Sequence, residues 1–157
     1  MSMNTEGGFD ILKEALALAR ILSESGVNWA FAGGVALGIH GYIRATEDID
    51  IVIDPQGIER LDSILKQHGF IISKSTIPFK DGFTVHRRVK ITGNDYFVLD
   101  VMIPPPGFAS LLDNRVEGRV EGFPVFVVTR EDLIRMKRLA GRDRDLADIA
   151  ELEKTHE

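Results

Sequence analysis

Apolar residues recur along the chain with two periods, about 3.6 and 2, and the changes between them divide it into elements. Phe9, Leu12, Leu16, Ala19 and Ile21 stand at near-helical spacing and Gly26 suits a stop, which predicts a first helix over Phe9–Ser25. Asn28–Ala32 reads as a short strand running straight into Gly33-Gly34, and Val35–His40 as a brief helix. Asp48–Ile53 alternates and is β-branched, so it reads as a strand. Ile58, Leu61 and Leu65 line one face of an amphipathic helix over Pro55–His68, with proline in its first turn and Gly69 after its end. A strand over Phe70–Lys74 and a turn region over Thr76–Gly82 follow. Phe83–Thr92 and Tyr96–Ile103 read as a hairpin around Gly93-Asn94-Asp95. Pro104-Pro105-Pro106 stops its second strand, and Phe108–Asp113 reads as a helical turn. Arg115–Val128 reads as two short strands about a Glu-Gly turn, and Thr129 with Asp132 has the pattern of a capping box opening a last helical stretch. This order predicts an α/β fold, a mixed sheet with helices packed on it. A single domain is expected, with its core over about 9–128 and a helical segment over about 129–155.

Three carboxylates break the pattern. Aspartate is depleted in strands, yet Asp48 and Asp50 sit in an apolar, β-branched run, on one face, while Ile49, Ile51 and Ile53 share the other. Two readings are open: a solvated sheet face, or a pair of oxygen ligands for a hard divalent cation. Asp100 is flanked by Leu99, Val101 and Met102, and shares a face with Val98 and Met102. It either looks toward the first pair or is buried against an arginine. Gly33-Gly34, between a strand and a helix start, lets a backbone or a phosphate come close. Arg44 is a candidate clamp on phosphate oxygens, or a partner for Glu47 or Asp48. His40 and His68 read as packed or surface residues.

Gly33-Gly34, Arg44-Ala45-Thr46 and Asp48-Ile49-Asp50 together resemble the signature of the nucleotidyltransferase fold of the polymerase-beta type. The nearest flavour is the group of the lincosamide and aminoglycoside nucleotidyltransferases and the AbiEii-type toxins. The resemblance runs from Trp29 to about Asp148, and its glycine pair departs from the frequent Gly-Ser by lacking a hydroxyl. Lys137 in a helix, followed by Arg142, Asp145 and Asp148, is similar to the carboxy-terminal motif of the same group. This likeness implies transfer of a nucleoside monophosphate from a nucleoside triphosphate to a hydroxyl, with release of pyrophosphate. It implies that Asp48, Asp50 and Asp100 hold magnesium or manganese, two ions in all, and that Asp100 helps deprotonate the attacking hydroxyl. Gly33, Gly34, Arg44 and Lys137 would hold the triphosphate, Lys137 also neutralising charge as it develops. Arg142, Asp145 and Asp148 would brace the helix ends. On the residues alone, Arg142–Asp145 and Arg144–Asp148 read equally as pairs on a solvated helix.

The chain has 157 residues, 44% hydrophobic and 27% charged, which suits one globular domain. A net charge of −5 argues against a broad grip on nucleic acid, although His86, Arg87, Arg88 and Lys90 form a basic cluster that could meet a substrate phosphate. There is no cysteine, so disulfides, thiol nucleophiles and thiolate metal sites are excluded. No stretch approaches the roughly 20 apolar residues of a membrane span, and the first residues lack a signal-peptide pattern, so a cytoplasmic protein is expected. There is no Gly-x-x-x-x-Gly-Lys-Ser/Thr loop, which removes the P-loop kinase reading. Two others stay open: a non-catalytic member that binds nucleotide or a partner, such as half of a toxin–antitoxin pair, and a small RNA-binding module. The acceptor, whether a small molecule such as an antibiotic, a transfer RNA end or a protein side chain, is not written in the sequence. With no large second domain, the pocket is open or completed by a second subunit, as in a homodimer.

Overall fold

The computed structural model describes residues 10–73, 76–78 and 81–154. The expected helix start at Phe9 and strand end at Lys74 lie outside them. Asp10 caps the first helix, its carboxylate accepting from the backbone N–H groups of Leu12 and Lys13, so α1 spans Ile11–Ser25. Gly26 ends it at φ 75°, a left-handed turn that glycine takes without strain. The chain then forms β1 (Trp29–Ala32), α2 (Gly33–Ile39), β2 (Asp48–Ile53), α3 (Ile58–Gln67) and β3 (Phe70–Ile72). A turn of 3-10 helix, Pro55–Gly57, precedes α3 where one continuous helix was expected. Next come β4 (Ile77–Pro78), β5 (Thr84–Thr92), β6 (Asp95–Ile103), β7 (Val116–Val120), β8 (Phe123–Val127), α4 (Arg130–Ala140) and α5 (Asp143–Lys154). β4 lies in the stretch read from sequence as a turn, recruited by pairing with β5.

The strands make one eight-stranded mixed sheet in the order β3-β5-β6-β2-β1-β8-β7, with β4 beside β5. β2 runs parallel to β6 and β1 parallel to β8, and the other pairs are antiparallel. Directly paired residues share a face, so the register sorts side chains into rows across the sheet. Ile49, Leu99 and Arg88 form one such row. Arg88 reaches Asp62 of α3, and Lys90, two residues on, reaches Glu14 of α1, so this face lies under α1 and α3. Ile51, Ile53, Phe31 and Val101 fill it together with Leu18, Leu22, Leu61 and Leu65, all buried. The opposite face carries the row Asp50–Asp100–Arg87.

The expected basic cluster on β5 does not form. Arg88 is 2% exposed and bound to Asp62, Lys90 pairs with Glu14, and Arg87 turns to the other face and pairs with Asp100. Strand alternation sends neighbouring basic residues to opposite sides of the sheet, where acidic partners take them. That removes the β5 half of the basic surface that an RNA-binding module would use, the other half being the basic helix α4. The carboxy-terminal stretch is two helices: Thr129 caps α4 by accepting from the Asp132 N–H, and Gly141, at φ 66°, ends it. Among the described residues no helix is long and apolar enough to cross a membrane.

Candidate active site

β2 and β6 run parallel with Asp50 directly opposite Asp100 and Asp48 opposite Val98. Three carboxylates therefore stand on one face of two adjacent strands, as the sequence pattern suggested. Among the described residues neither Asp48 nor Asp50 has an ion pair or a side-chain hydrogen bond. Burial, reinforced by the neighbouring charges of Asp100 and Asp48, pushes the Asp50 carboxyl up to about 7. Asp48 is raised as well, by burial first and by Asp100 second. Hard oxygen donors that repel one another in a half-buried place are a donor set a divalent cation fits. Asp100 is engaged differently: Arg87 donates to both its oxygens, at 2.9 and 3.1 Å. As they stand, no three His, Cys, Asp or Glu side chains among the described residues are gathered to hold a metal ion.

The glycines fit against this row. β1 passes directly into α2 at Gly33, whose φ is 58°. A Cβ there would collide with Asp50 Oδ2, and a Cβ on Gly34 would lie 2.6 Å from Thr46 Oγ1. Both positions exclude a side chain, so the departure from Gly-Ser is a packing requirement. The Thr46 hydroxyl stands against the place where the serine side chain would be, and it donates to the Asp48 carbonyl at 3.1 Å. Thr46 thereby holds the start of β2 against the α2 turn.

The other wall of the cleft is ionic. Arg44 donates to both oxygens of Asp148, at 3.0 and 2.9 Å, across 104 residues of sequence. Lys137 of α4 also donates to Asp148, at 2.9 Å, and lies 3.5 Å from Asp145. Arg142 holds Asp145 through its side chain at 2.7 Å and its backbone N–H at 3.2 Å. Burial opposes charge on Asp145 and Asp148, yet these bonds outweigh it and hold both below the usual carboxylate range. Arg44 pairs with Asp148, not with Glu47 or Asp48. Of the two surface pairs considered from sequence, Arg142–Asp145 forms, while Asp148 is taken by Arg44 and Lys137 in place of Arg144. His40 Nε2 meets the Val128 carbonyl at 2.8 Å, a packing contact between α2 and the end of β8.

Between the walls lies a cleft of about 1010 Å³ whose lining includes Gly33, Gly34, Arg44, Asp48, Asp50, Asp100 and Lys137, the residues to which the sequence resemblance gave a metal or phosphate role. The lining also includes Thr46 of the signature, Arg87 as the one member of the β5 basic cluster to reach it, and an apolar patch of Phe83, Met102, Leu133 and Met136 that the sequence reading did not place there. Hairpin register was the available signal for Arg87: a two-residue turn at Gly93-Asn94 sets Thr92 opposite Asp95 and hence Arg87 opposite Asp100.

Solved structures share this architecture at low identity. A Thermotoga maritima protein assigned as a nucleotidyltransferase superposes with a TM-score of 0.63 at 16% identity, over 96% of this chain and 99% of that one. The lincosamide antibiotic adenylyltransferase LnuA, solved with lincomycin bound, gives 0.66 at 19% identity, over 91% and 96%. The antibiotic-resistance factor ANT(2″)-Ia, in complex with adenylyl-2″-tobramycin, gives 0.64 at 15% identity, over 93% and 92%. These likenesses show the nucleotidyltransferase fold. No curated protein sequence matches the chain. The model of one sequence family, the nucleotidyl transferase AbiEii toxin of type IV toxin–antitoxin systems, matches residues 16–157. The chain is therefore a member of the AbiEii nucleotidyltransferase family.

Proposed function

We propose that the protein moves a nucleoside monophosphate from a nucleoside triphosphate to a hydroxyl acceptor, releasing pyrophosphate. The observation that carries this reading is the Asp48, Asp50 and Asp100 face, which lines a cleft with Asp50 fitted against a glycine that admits no side chain. Asp48 and Asp50, with Asp100, are the residues that would hold divalent metal. Magnesium bound there supplies charge neutralisation for the phosphates and lowers the pKa of an attacking oxygen. The bare backbone of Gly33-Gly34 leaves room for phosphate beside the aspartates. Arg44 and Lys137 line the phosphate side of the cleft, but each is already shared with Asp148, so they position more than they neutralise. The acceptor oxygen bonds to the α-phosphorus as the bond to the bridging oxygen breaks, and Asp100 assists removal of the hydroxyl proton. Phe83, Met102, Leu133 and Met136 offer an apolar surface to a base or an acceptor.

The family description favours one alternative, that the chain acts as the toxin half of a toxin–antitoxin pair with an antitoxin as partner. The solved relatives named with antibiotics make a drug hydroxyl a second acceptor to test.

Thermal unfolding with each of the four nucleoside triphosphates, with and without magnesium, tests the reading. Ligand at about a hundredfold above its dissociation constant adds roughly 2.7 kcal/mol. A magnesium-dependent shift is expected in the wild type and not in the Asp48→Ala/Asp50→Ala variant. Absence of a shift with every nucleotide would overturn the enzyme reading for this chain.

A further inference from the structure

Arg87 occupies the third carboxylate of the row as a bound cation would. Its Nε and one terminal nitrogen engage both Asp100 oxygens, and this follows from register, since β5 sets Arg87 opposite Asp100 and β6 sets Asp100 opposite Asp50. A metal held by Asp100 together with the β2 aspartates would need an oxygen that Arg87 now holds. The adjacent Arg88 is fixed in a different way. It donates to both Asp62 oxygens and to the Ser73 and Arg87 carbonyls, and its side chain is 2% exposed. Among the described residues, the Arg87 guanidinium has Asp100 as its one hydrogen-bonding partner, and the side chain is 46% exposed on the cleft wall. One arginine is locked into the core. Its neighbour is tethered at a single point with solvent around it.

We propose that Arg87 is an exchangeable cation: it holds Asp100 while no metal is bound, and releases it to a metal–triphosphate complex, turning its guanidinium to the phosphate oxygens. This rests on the nucleotidyltransferase reading above. The planar guanidinium suits phosphate as well as carboxylate, so the released group meets a partner of equal fit. Three carboxylates against one guanidinium leave the row net negative. It attracts metal, but Arg87 competes for the oxygen that completes the coordination. Metal alone therefore binds weakly, and triphosphate strengthens its binding by giving Arg87 somewhere to go. Arg87 is in this sense a positioning residue that makes metal loading depend on nucleotide.

Manganese is the probe, titrated by its paramagnetic resonance signal against wild type, Arg87→Ala and Arg87→Gln, each with and without a non-hydrolysable α,β-methylene nucleoside triphosphate. Releasing Asp100 from a half-exposed pair is expected to tighten manganese binding alone by about fivefold in both variants. The strengthening by the triphosphate analogue is expected to fall by about tenfold, the usual scale of one charge-assisted hydrogen bond. Glutamine keeps a donor near the original place without charge, so it serves if the alanine variant folds poorly. Unchanged or weaker binding of manganese alone in both variants would overturn the exchange and leave Arg87 a structural pair. No manganese binding by any protein, even with the analogue, would overturn the metal-dependent reading itself, which is a separate result.

Discussion

Two pairs of aspartates in this molecule meet opposite fates. Asp48 and Asp50 on β2 face the cleft with no ion pair among the described residues, and both are held above the ordinary carboxylate range. Asp145 and Asp148 on α5 lie 1% exposed, shared among Lys137, Arg142 and Arg44, and both are held below it. The difference is one of partners: burial opposes charge at all four, and only the second pair has its charge returned by fixed donors. The α5 aspartates hold the structure together. The β2 pair destabilises it, and the ligand proposed above would relieve that cost.

Removing a partner from the α5 network is expected to have the largest effect. Asp148→Ala leaves Lys137, 7% exposed, and Arg44 without their shared carboxylate, and should lower the unfolding free energy in urea by about 3–5 kcal/mol. The same kind of truncation on β2 should act in the opposite direction. In chelator, Asp50→Asn is expected to raise stability by on the order of 2 kcal/mol at neutral pH, and in a separate measurement with magnesium and triphosphate it should lack the shift expected of wild type.

Acid and base should separate the pairs further. The folded Asp50 carboxyl stands at about 7 against an ordinary 3.8, so its contribution is intact below about 4 and is lost as pH rises toward 7. In chelator, wild type should therefore lose stability relative to Asp50→Asn across that window. The lowered Asp145 and Asp148 work the other way: their stabilisation is full above the ordinary carboxylate range and fades as pH falls through their depressed values. The gap between wild type and Asp148→Ala should close in acid.

The smallest effect sharpens the local geometry. Gly33→Ala should cost about 1–2 kcal/mol, in part from its left-handed backbone and in part from the Asp50 carboxylate it would strike. In the Asp50→Ala background the carboxylate clash is gone and the cost should fall toward the backbone part, with a tight contact to the remaining Cβ at 3.0 Å. A double-mutant cycle that shows no coupling would separate Gly33 from the aspartate row.

The sequence was most legible where periodicity and stop signals agreed. β2, both hairpins, α1 and the Thr129 cap stand where alternation, glycine turns and capping residues put them, within a residue or two. The carboxylates on one face were also readable, because an aspartate in an apolar strand conflicts with its local preference. Partners were not. A hairpin read with three turn residues, Gly93-Asn94-Asp95, sets Asp100 opposite Arg88, whereas the two-residue turn sets it opposite Arg87. One residue of slip exchanges a buried arginine for one on the cleft, since it swaps the two faces of the strand. Arg44 and Asp148 were each marked, but nothing local says that residues 104 apart in sequence share a hydrogen bond. Tertiary packing alone makes that pair.

The link between Arg44 and α5 also bears on when the molecule becomes competent during its synthesis. The aspartate row is complete once β6 is made, but the ionic wall facing it needs α4 and α5, which follow every strand in the chain. Closing a loop of this span costs entropy that shorter contacts do not, so the wall is expected to join late. A nascent chain stopped after β8 would display the three carboxylates with no opposing lysine and with Arg44 unanchored.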